Sequence, residues 1–188
     1  LNLSGHCSVK SLAPVKKLTK LTKLAFSGHS SLVNIDHLKG LKNLTTLKMM
    51  KCPSLTNLDA LRGLTTIKKL RISWCNSLTE FDALGDLPNL TYLHIEGLNR
   101  DLNIGGLSRL SNLTELRLWY CDKLSDLSPL SRLKNLTLLY LANLSSLSDL
   151  SPLSGFTNLA NLIISDCESL SDLSPLSGLT NLAELSIS

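Results

Sequence analysis

A unit of 23 residues repeats along the whole chain without one insertion or deletion. Leu21, Leu44, Ile67, Leu90, Leu113, Leu136, Leu159 and Leu182 are each 23 apart and define position 1. Position 4 is then Leu at every occurrence, from Leu1 through Leu93 to Leu185, and position 6 is apolar throughout, from Leu3 and Phe26 to Ile187. Positions 15, 18 and 21 are apolar in every unit that contains them. Strict recurrence at this length excludes an ordinary globular core, in which no position is filled many times over. It dictates stacked copies of one small motif.

The chemistry of the unit says what is stacked. Apolar positions 4 and 6 alternate with polar residues at 3, 5 and 7, the two-residue period of a strand with one buried face. A 23-residue unit cannot bury that face alone. Neighbouring units bury it, and their strands pair in parallel at about 4.8 Å spacing. Leu fills 48 of the 188 positions while aromatics are 4%, as expected where one core site is copied many times. The return half carries Ser128-Pro129, Ser151-Pro152 and Ser174-Pro175, with Asp36, Asp59 and Asp82 at the same place in earlier units. These read as helix N-caps of short helical or 3₁₀ turns on the convex side. Seven complete units run from 21–43 to 159–181, flanked by partial ones, in a single domain over 1–188. Because both outer units are incomplete, a piece of a longer protein without caps is expected. Unit 4 has Asp101 where others have an apolar residue at position 12, and carries Gly105-Gly106, so a local distortion with Leu102 as the replacement is expected there.

Cys52, Cys75, Cys121 and Cys167 share position 9, with His6 and His29 there in the first units. Cys7 lies one place out of register. A small thiol at the turn out of the strand suits a buried, reduced row, and buried free thiols favour a reducing intracellular compartment over an extracellular one. Spacing alone leaves a Cys52–Cys75 bridge open. No C-x-x-C or H-x-x-x-H pair occurs, so no metal is assigned. Six N-x-[ST] sequons, at Asn2, Asn43, Asn89, Asn112, Asn135 and Asn143, follow largely from the repeated N-L-T boundary and carry little weight for secretion. No phosphate loop, metalloprotease motif or nucleophile elbow appears. No catalytic residue and no cofactor is therefore assigned, and the chain reads as a non-enzyme. No apolar run is long enough to span a membrane.

Function is signalled by where the large residues outside the core lie. Positions 3, 5, 7 and 8 form the outward side of the strand and the residue after it. All five Trp and Tyr residues fall there: Tyr92, Tyr140, Trp119, Trp74 and Tyr120. Chance placement on four of 23 positions has a probability on the order of 10⁻⁴. The core does not need rings at those places, and Trp, Tyr and Arg are the residues enriched at binding hot spots. With Lys48, Met50, Lys69, Arg71, His94, Glu96, Glu115, Arg117, Leu138 and Ile163 they make one patch on a concave sheet. Charge is asymmetric too. Residues 1–75 carry 13 Lys+Arg against 2 Asp+Glu, and residues 76–188 carry 6 against 13.

The pattern L-x-x-L-x-L-x-x-C-x-x-L resembles the leucine-rich repeat superfamily. That resemblance implies an α/β class: a right-handed solenoid with a parallel concave sheet. The S-L-S-D-L-S-P-L-S-x-L runs with Cys at position 9, at 121–131 and 167–177, look like the repeats of trypanosome expression-site-associated leucine-rich repeat proteins. The D-L-S-P-L-x-x-L-T-N-L run is similar to bacterial internalins, and Cys-Pro-Ser-Leu with Leu87-Pro88-Asn89-Leu90 is similar to plant immune-receptor repeats. The implied function is a protein-interaction scaffold that binds a protein partner on its concave face. The alternatives are a substrate-recognition arm of a regulatory or ubiquitin-ligase assembly, an extracellular adhesin, and nucleic-acid binding through the Lys-rich N-terminal end. The opposite charges of the two halves also suit head-to-tail self-association.

Overall fold

A computed structural model describes residues 1–5 and 9–188. His6 and Cys7, which the sequence makes a turn residue and an out-of-register thiol, lie outside the described residues. The strands are β1 (Asn2–Ser4), β2 (Lys23–Ser27), β3 (Thr46–Met50), β4 (Lys69–Ser73) and β5 (Tyr92–Glu96). They continue as β6 (Glu115–Trp119), β7 (Leu138–Ala142), β8 (Asn161–Ser165) and β9 (Glu184–Ile187). All pair in parallel, in sequence order, in one sheet that does not close into a barrel. The register advances by 23 at each step, so that Arg71 faces His94, His94 faces Arg117 and Arg117 faces Tyr140. This is the expected α/β leucine-rich repeat solenoid, with every short helix among the described residues of the 3₁₀ type.

The core is a stack of identical layers. Leu47, Leu70, Leu93, Leu116, Leu139 and Leu162 from position 4 are fully buried, as are Leu58, Leu61 and Leu64 from the return half of one unit. Each such side chain contributes roughly 1.5–3 kcal/mol. The return side is tied by side-chain ladders. The Asn at position 23 donates its amide to the carbonyl just before it in the preceding unit: Asn89 to Thr65, Asn112 to Pro88, Asn135 to Ser111, all within 2.8 Å. Thr hydroxyls at position 2 repeat the device, Thr114 to Thr91 and Thr137 to Thr114. The N-L-T boundary is thus a structural element in its own right.

The expected helix caps are corrected. Ser128, Ser151 and Ser174 are not caps but the first helical residues, and no side chain at their position caps the turn. The acceptor stands two residues earlier: Asp126, Asp149 and Asp172 each accept the N–H of the Ser two places on, at 2.7–2.8 Å. Asn34, Asn57 and Asn103 do the same in earlier units. A 3₁₀ turn closes Leu130 N–H onto Leu127 C=O, so the orphan donor is that of Ser128, which only an upstream side chain reaches. Asp36, Asp59 and Asp82 likewise lie inside their turns.

Unit 4 departs locally, as expected. The other complete units close a turn from position 12 N–H to position 9 C=O, as Leu78 to Cys75 and Leu124 to Cys121. Unit 4 instead forms a parallel bridge between Glu80 and Asn103, with Asn103 donating to Thr79 C=O at 2.8 Å. Asp101 is exposed and Leu102 is half-buried against the core.

Candidate functional site

Position 8 has a backbone role that the outward-column reading did not include. Its N–H extends the sheet ladder to the next unit, as Trp74 to Glu96 C=O at 2.8 Å and Tyr120 to Ala142 C=O at 3.0 Å. The chain then turns sharply out of the strand, which puts position 8 in the left-handed region. Gly28, Lys51, Trp74, Gly97, Tyr120, Asn143 and Asp166 all have φ between 50° and 82°. Gly, Asn and Asp tolerate this region, whereas bulky residues there cost on the order of 1–2 kcal/mol each. The signal was present in the sequence as the column Gly5, Gly28, Gly97, Asn143, Asp166. Lys51, Trp74 and Tyr120 break that column, the two aromatics at a conformational cost that folding does not require.

These two rings meet across Gly97. Their centroids are 6.1 Å apart, and the Trp74 ring lies over the Gly97 Cα, where an added Cβ would come within 2.4 Å of it. Tyr120 continues to Trp119 at 6.3 Å, and Trp119 packs edge-on against Tyr140 at 5.1 Å and His94 at 5.7 Å. The result is one contiguous aromatic shelf across β4–β7, with Trp74 and Tyr120 about two-fifths exposed. Edge-to-face pairs of this kind contribute about 0.5–1.5 kcal/mol each beyond burial, so the rings hold one another in place.

A polar floor lies beneath. Glu96 accepts from Arg71 Nη2 at 2.7 Å, Ser73 Oγ at 3.0 Å and His94 Nε2 at 3.2 Å. An ionised carboxylate only accepts, so His94 carries its proton on Nε2. Burial would raise the Glu96 pKa, but the bonds from Arg71 and Ser73 and the Arg71 charge outweigh it and hold it below its ordinary value. Burial and the Arg71 charge lower that of His94. His94 is expected from sequence to be a surface contact. It stands on the outward column but is 3% exposed, covered by Trp119 and Glu96, and is part of the floor.

The remaining candidate residues divide. Arg117 pairs with Glu115 on its own strand at 2.6 Å. Leu138 faces Glu115, Ile163 adjoins Tyr140 and Met50 adjoins Ser73 along the sheet. Lys48, Lys69 and Tyr92 lie apart from the shelf, around a depression of about 220 Å³ that also touches Arg71. Lys23, absent from the sequence-based set, lines an adjoining depression of about 440 Å³ with Lys48 and Lys69.

The four described position-9 cysteines are free. Cys52, Cys121 and Cys167 donate to the carbonyl two residues back at 3.3–3.5 Å, which is how a thiol serves this turn. Burial pushes the Cys121 thiol up to about 12. Among the described residues, no three His, Cys, Asp or Glu side chains converge as metal ligands, and no helix is long and apolar enough to cross a membrane.

Acidification is expected to loosen this floor in two steps. The folded-state pKa of His94 lies below its ordinary 6.5, so protonation favours the unfolded chain and stability falls as pH drops below about 6.5. Glu96 adds stability that is complete above its ordinary 4.5 and is lost as pH falls through its lower folded value. Melting temperatures between pH 8 and 3.5 should show both steps, and His94→Gln should abolish the first. An unchanged profile in that variant would refute the assignment.

Residues 2–144 match the family described as plant disease resistance protein RPS2-like, leucine-rich repeats. No curated protein matches the sequence. Among solved structures, internalin C2 (inlC2) of Listeria monocytogenes is similar at 29% identity and a TM-score of 0.78, covering 100% of this chain and 80% of that one. Internalin inlF of Listeria monocytogenes is similar at 25% identity and a TM-score of 0.78, over 96% of this chain. This chain spans about half, 51%, of the length of that internalin. The leucine-rich repeat domain of the type III effector XCV3220 (XopL) shares the fold at 20% identity and a TM-score of 0.73, covering 100% of this chain and 75% of that one.

Proposed function

The chain belongs to the plant disease resistance protein RPS2-like leucine-rich repeat family, and from that membership we propose that it recognises a protein partner through the aromatic shelf on its concave face. Leucine-rich repeat domains of the internalin and effector type are generally protein-interaction scaffolds. The observation that carries the finer reading is the pair Trp74 and Tyr120. Both rings sit at left-handed positions that most other units give to Gly, Asn or Asp, and both remain exposed. A cost of about 1 kcal/mol or more at each, with neither ring buried in the core to offset it, fits an element kept for recognition. Trp119, Tyr140 and Arg117 extend the surface, while Glu96 and His94 keep it rigid, which lowers the entropy lost on binding. The domain acts without chemistry of its own. Its buried free thiols suit a reducing compartment.

The test is a paired affinity capture from the source cell, with wild type and with Trp74→Ala, Arg117→Ala, Trp119→Ala and Tyr140→Ala combined. The variant is first checked for unchanged circular dichroism and melting. Hot-spot rings contribute about 2 kcal/mol or more each, so specific partners should be depleted at least 100-fold. Equal capture by both baits would move the site off the shelf.

A further inference from the structure

The depressions beside the shelf carry a second recognition element. Lys23 and Lys69 stand in one column and Lys48 in the next, on β2, β3 and β4. All three are exposed, and none enters an ion pair among the described residues, whereas the neighbouring Arg71 is held by Glu96. All three line a depression of about 440 Å³ together with Leu1 and the short side chains of Ala25 and Thr46, and Lys48 and Lys69 also line the adjoining depression of about 220 Å³ with Thr46 and Arg71. Tyr92, which faces Lys69 across the strands, walls the side nearest the shelf. Three positive charges without an ion-pair partner among the described residues, set around an open hollow, suit anionic groups, and its dimensions limit which.

Lys23 and Lys69 are two strands apart, about 10 Å at the spacing of a sheet. An extended peptide covers that distance in about three residues. Beyond Tyr92 the same column turns acidic at Glu115. Glu115 and Arg117 neutralise each other, and Arg71 is held by Glu96. After a few nucleotides a phosphate backbone following the sheet would therefore find no free cation beyond Lys69 among the described residues of the strands, whereas a short run of carboxylates ends where the free positive charge ends. Resting on the reading that the partner is a protein on the concave face, we propose that Lys23, Lys48 and Lys69 seat two or three acidic side chains of that partner. The contact fixes the direction in which the partner lies, with its acidic segment on β2–β4 and its apolar segment on the shelf over β4–β7.

The probe is acetyl-Glu-Glu-Glu-amide titrated into the ¹⁵N-labelled full chain at low salt, with the tri-glutamine peptide as control. Amide shifts are expected at Thr46, Lys48, Lys69 and Tyr92, and saturation in the millimolar range. Binding should weaken about tenfold in Lys48→Gln/Lys69→Gln and vanish in Lys48→Glu/Lys69→Glu. Shifts spread over Lys16, Lys39 and the other return-side lysines, or equal shifts with tri-glutamine, would overturn the proposal. So would a short oligothymidylate that competes at the hollow and binds more tightly, since it would assign the site to nucleic acid. The shelf variant separates this inference from the one it rests on. If tri-glutamate fails while the shelf still governs partner capture, only the acidic seat falls. If tri-glutamate binds while capture ignores the shelf, the reading of the partner falls.

Discussion

Gly106→Ala is expected to destabilise the chain by about 3 kcal/mol, the upper range for forced overpacking, with a melting shift of roughly 6–12 °C. Gly106 is buried in the 3₁₀ segment Gly105–Arg109, against the backbone of the preceding unit. A Cβ there would lie 2.5 Å from the Phe81 carbonyl oxygen and 2.6 Å from the Asp82 Cα. Both are backbone atoms, so two turns would have to separate, and the Glu80–Asn103 bridge beside them would be pulled apart. Gly40→Ala is the control. Its Cβ would meet nothing closer than 3.8 Å, and its backbone conformation suits any residue, so a change within about 0.5 kcal/mol is expected. In a solenoid each unit contacts only its neighbours, so hydrogen exchange in Gly106→Ala should rise first in units 3 and 4. Equal melting of the two variants would refute the close-packing argument.

Glu96→Ala should cost about 2–3 kcal/mol, the range for leaving buried donors unpaired, tempered because Arg71 is about a third exposed. Arg71 keeps its 3.0 Å bond to Ser73, but His94 loses the acceptor that fixes its proton, and Trp119 loses the ring orientation it packs against. Glu96→Gln keeps the shape and one acceptor and should lose about half as much. A double-mutant cycle with Arg71→Met isolates the pair. A coupling energy indistinguishable from zero would mean that the floor is not a network. The network also orients the His94 ring against which Trp119 packs, so the indole signal of Trp119 should broaden in Glu96→Ala while the core amides of β5 and β6 stay sharp.

The period carried most of the architecture. Positions 3–7 of the full units are the strands, and positions 15, 18 and 21 are the inward face of the return half. The five Trp and Tyr residues were legible as a group because the core pattern had no use for them. Three things were not legible, for separate reasons. Position 8 reads as one more outward residue until Gly28, Gly97, Asn143 and Asp166 are seen to share a backbone requirement rather than a surface. The capping carboxylates escaped because each turn already includes the Ser of the Ser-Pro pair, so that Ser128 offers its N–H to Asp126 instead of capping with its own hydroxyl. His94 lies on an outward column, yet lateral contacts from Trp119, one strand away, bury it. Alternation along a strand encodes the face but not what the next strand lays across it.

The left-handed column has a consequence for how such a chain changes over time. At position 8 the demands of the turn and of the proposed recognition oppose each other. Gly or Asn is the better residue for the turn, and Trp or Tyr is the better residue for a partner. Random drift filtered only by stability would carry Trp74 and Tyr120 toward small residues, with the solenoid left intact and the proposed binding surface erased. The same tolerance would allow a new aromatic to be tried at Asn143 for a modest loss of stability, so that, if this face binds as proposed, one column would let the scaffold exchange partners without relearning how to fold.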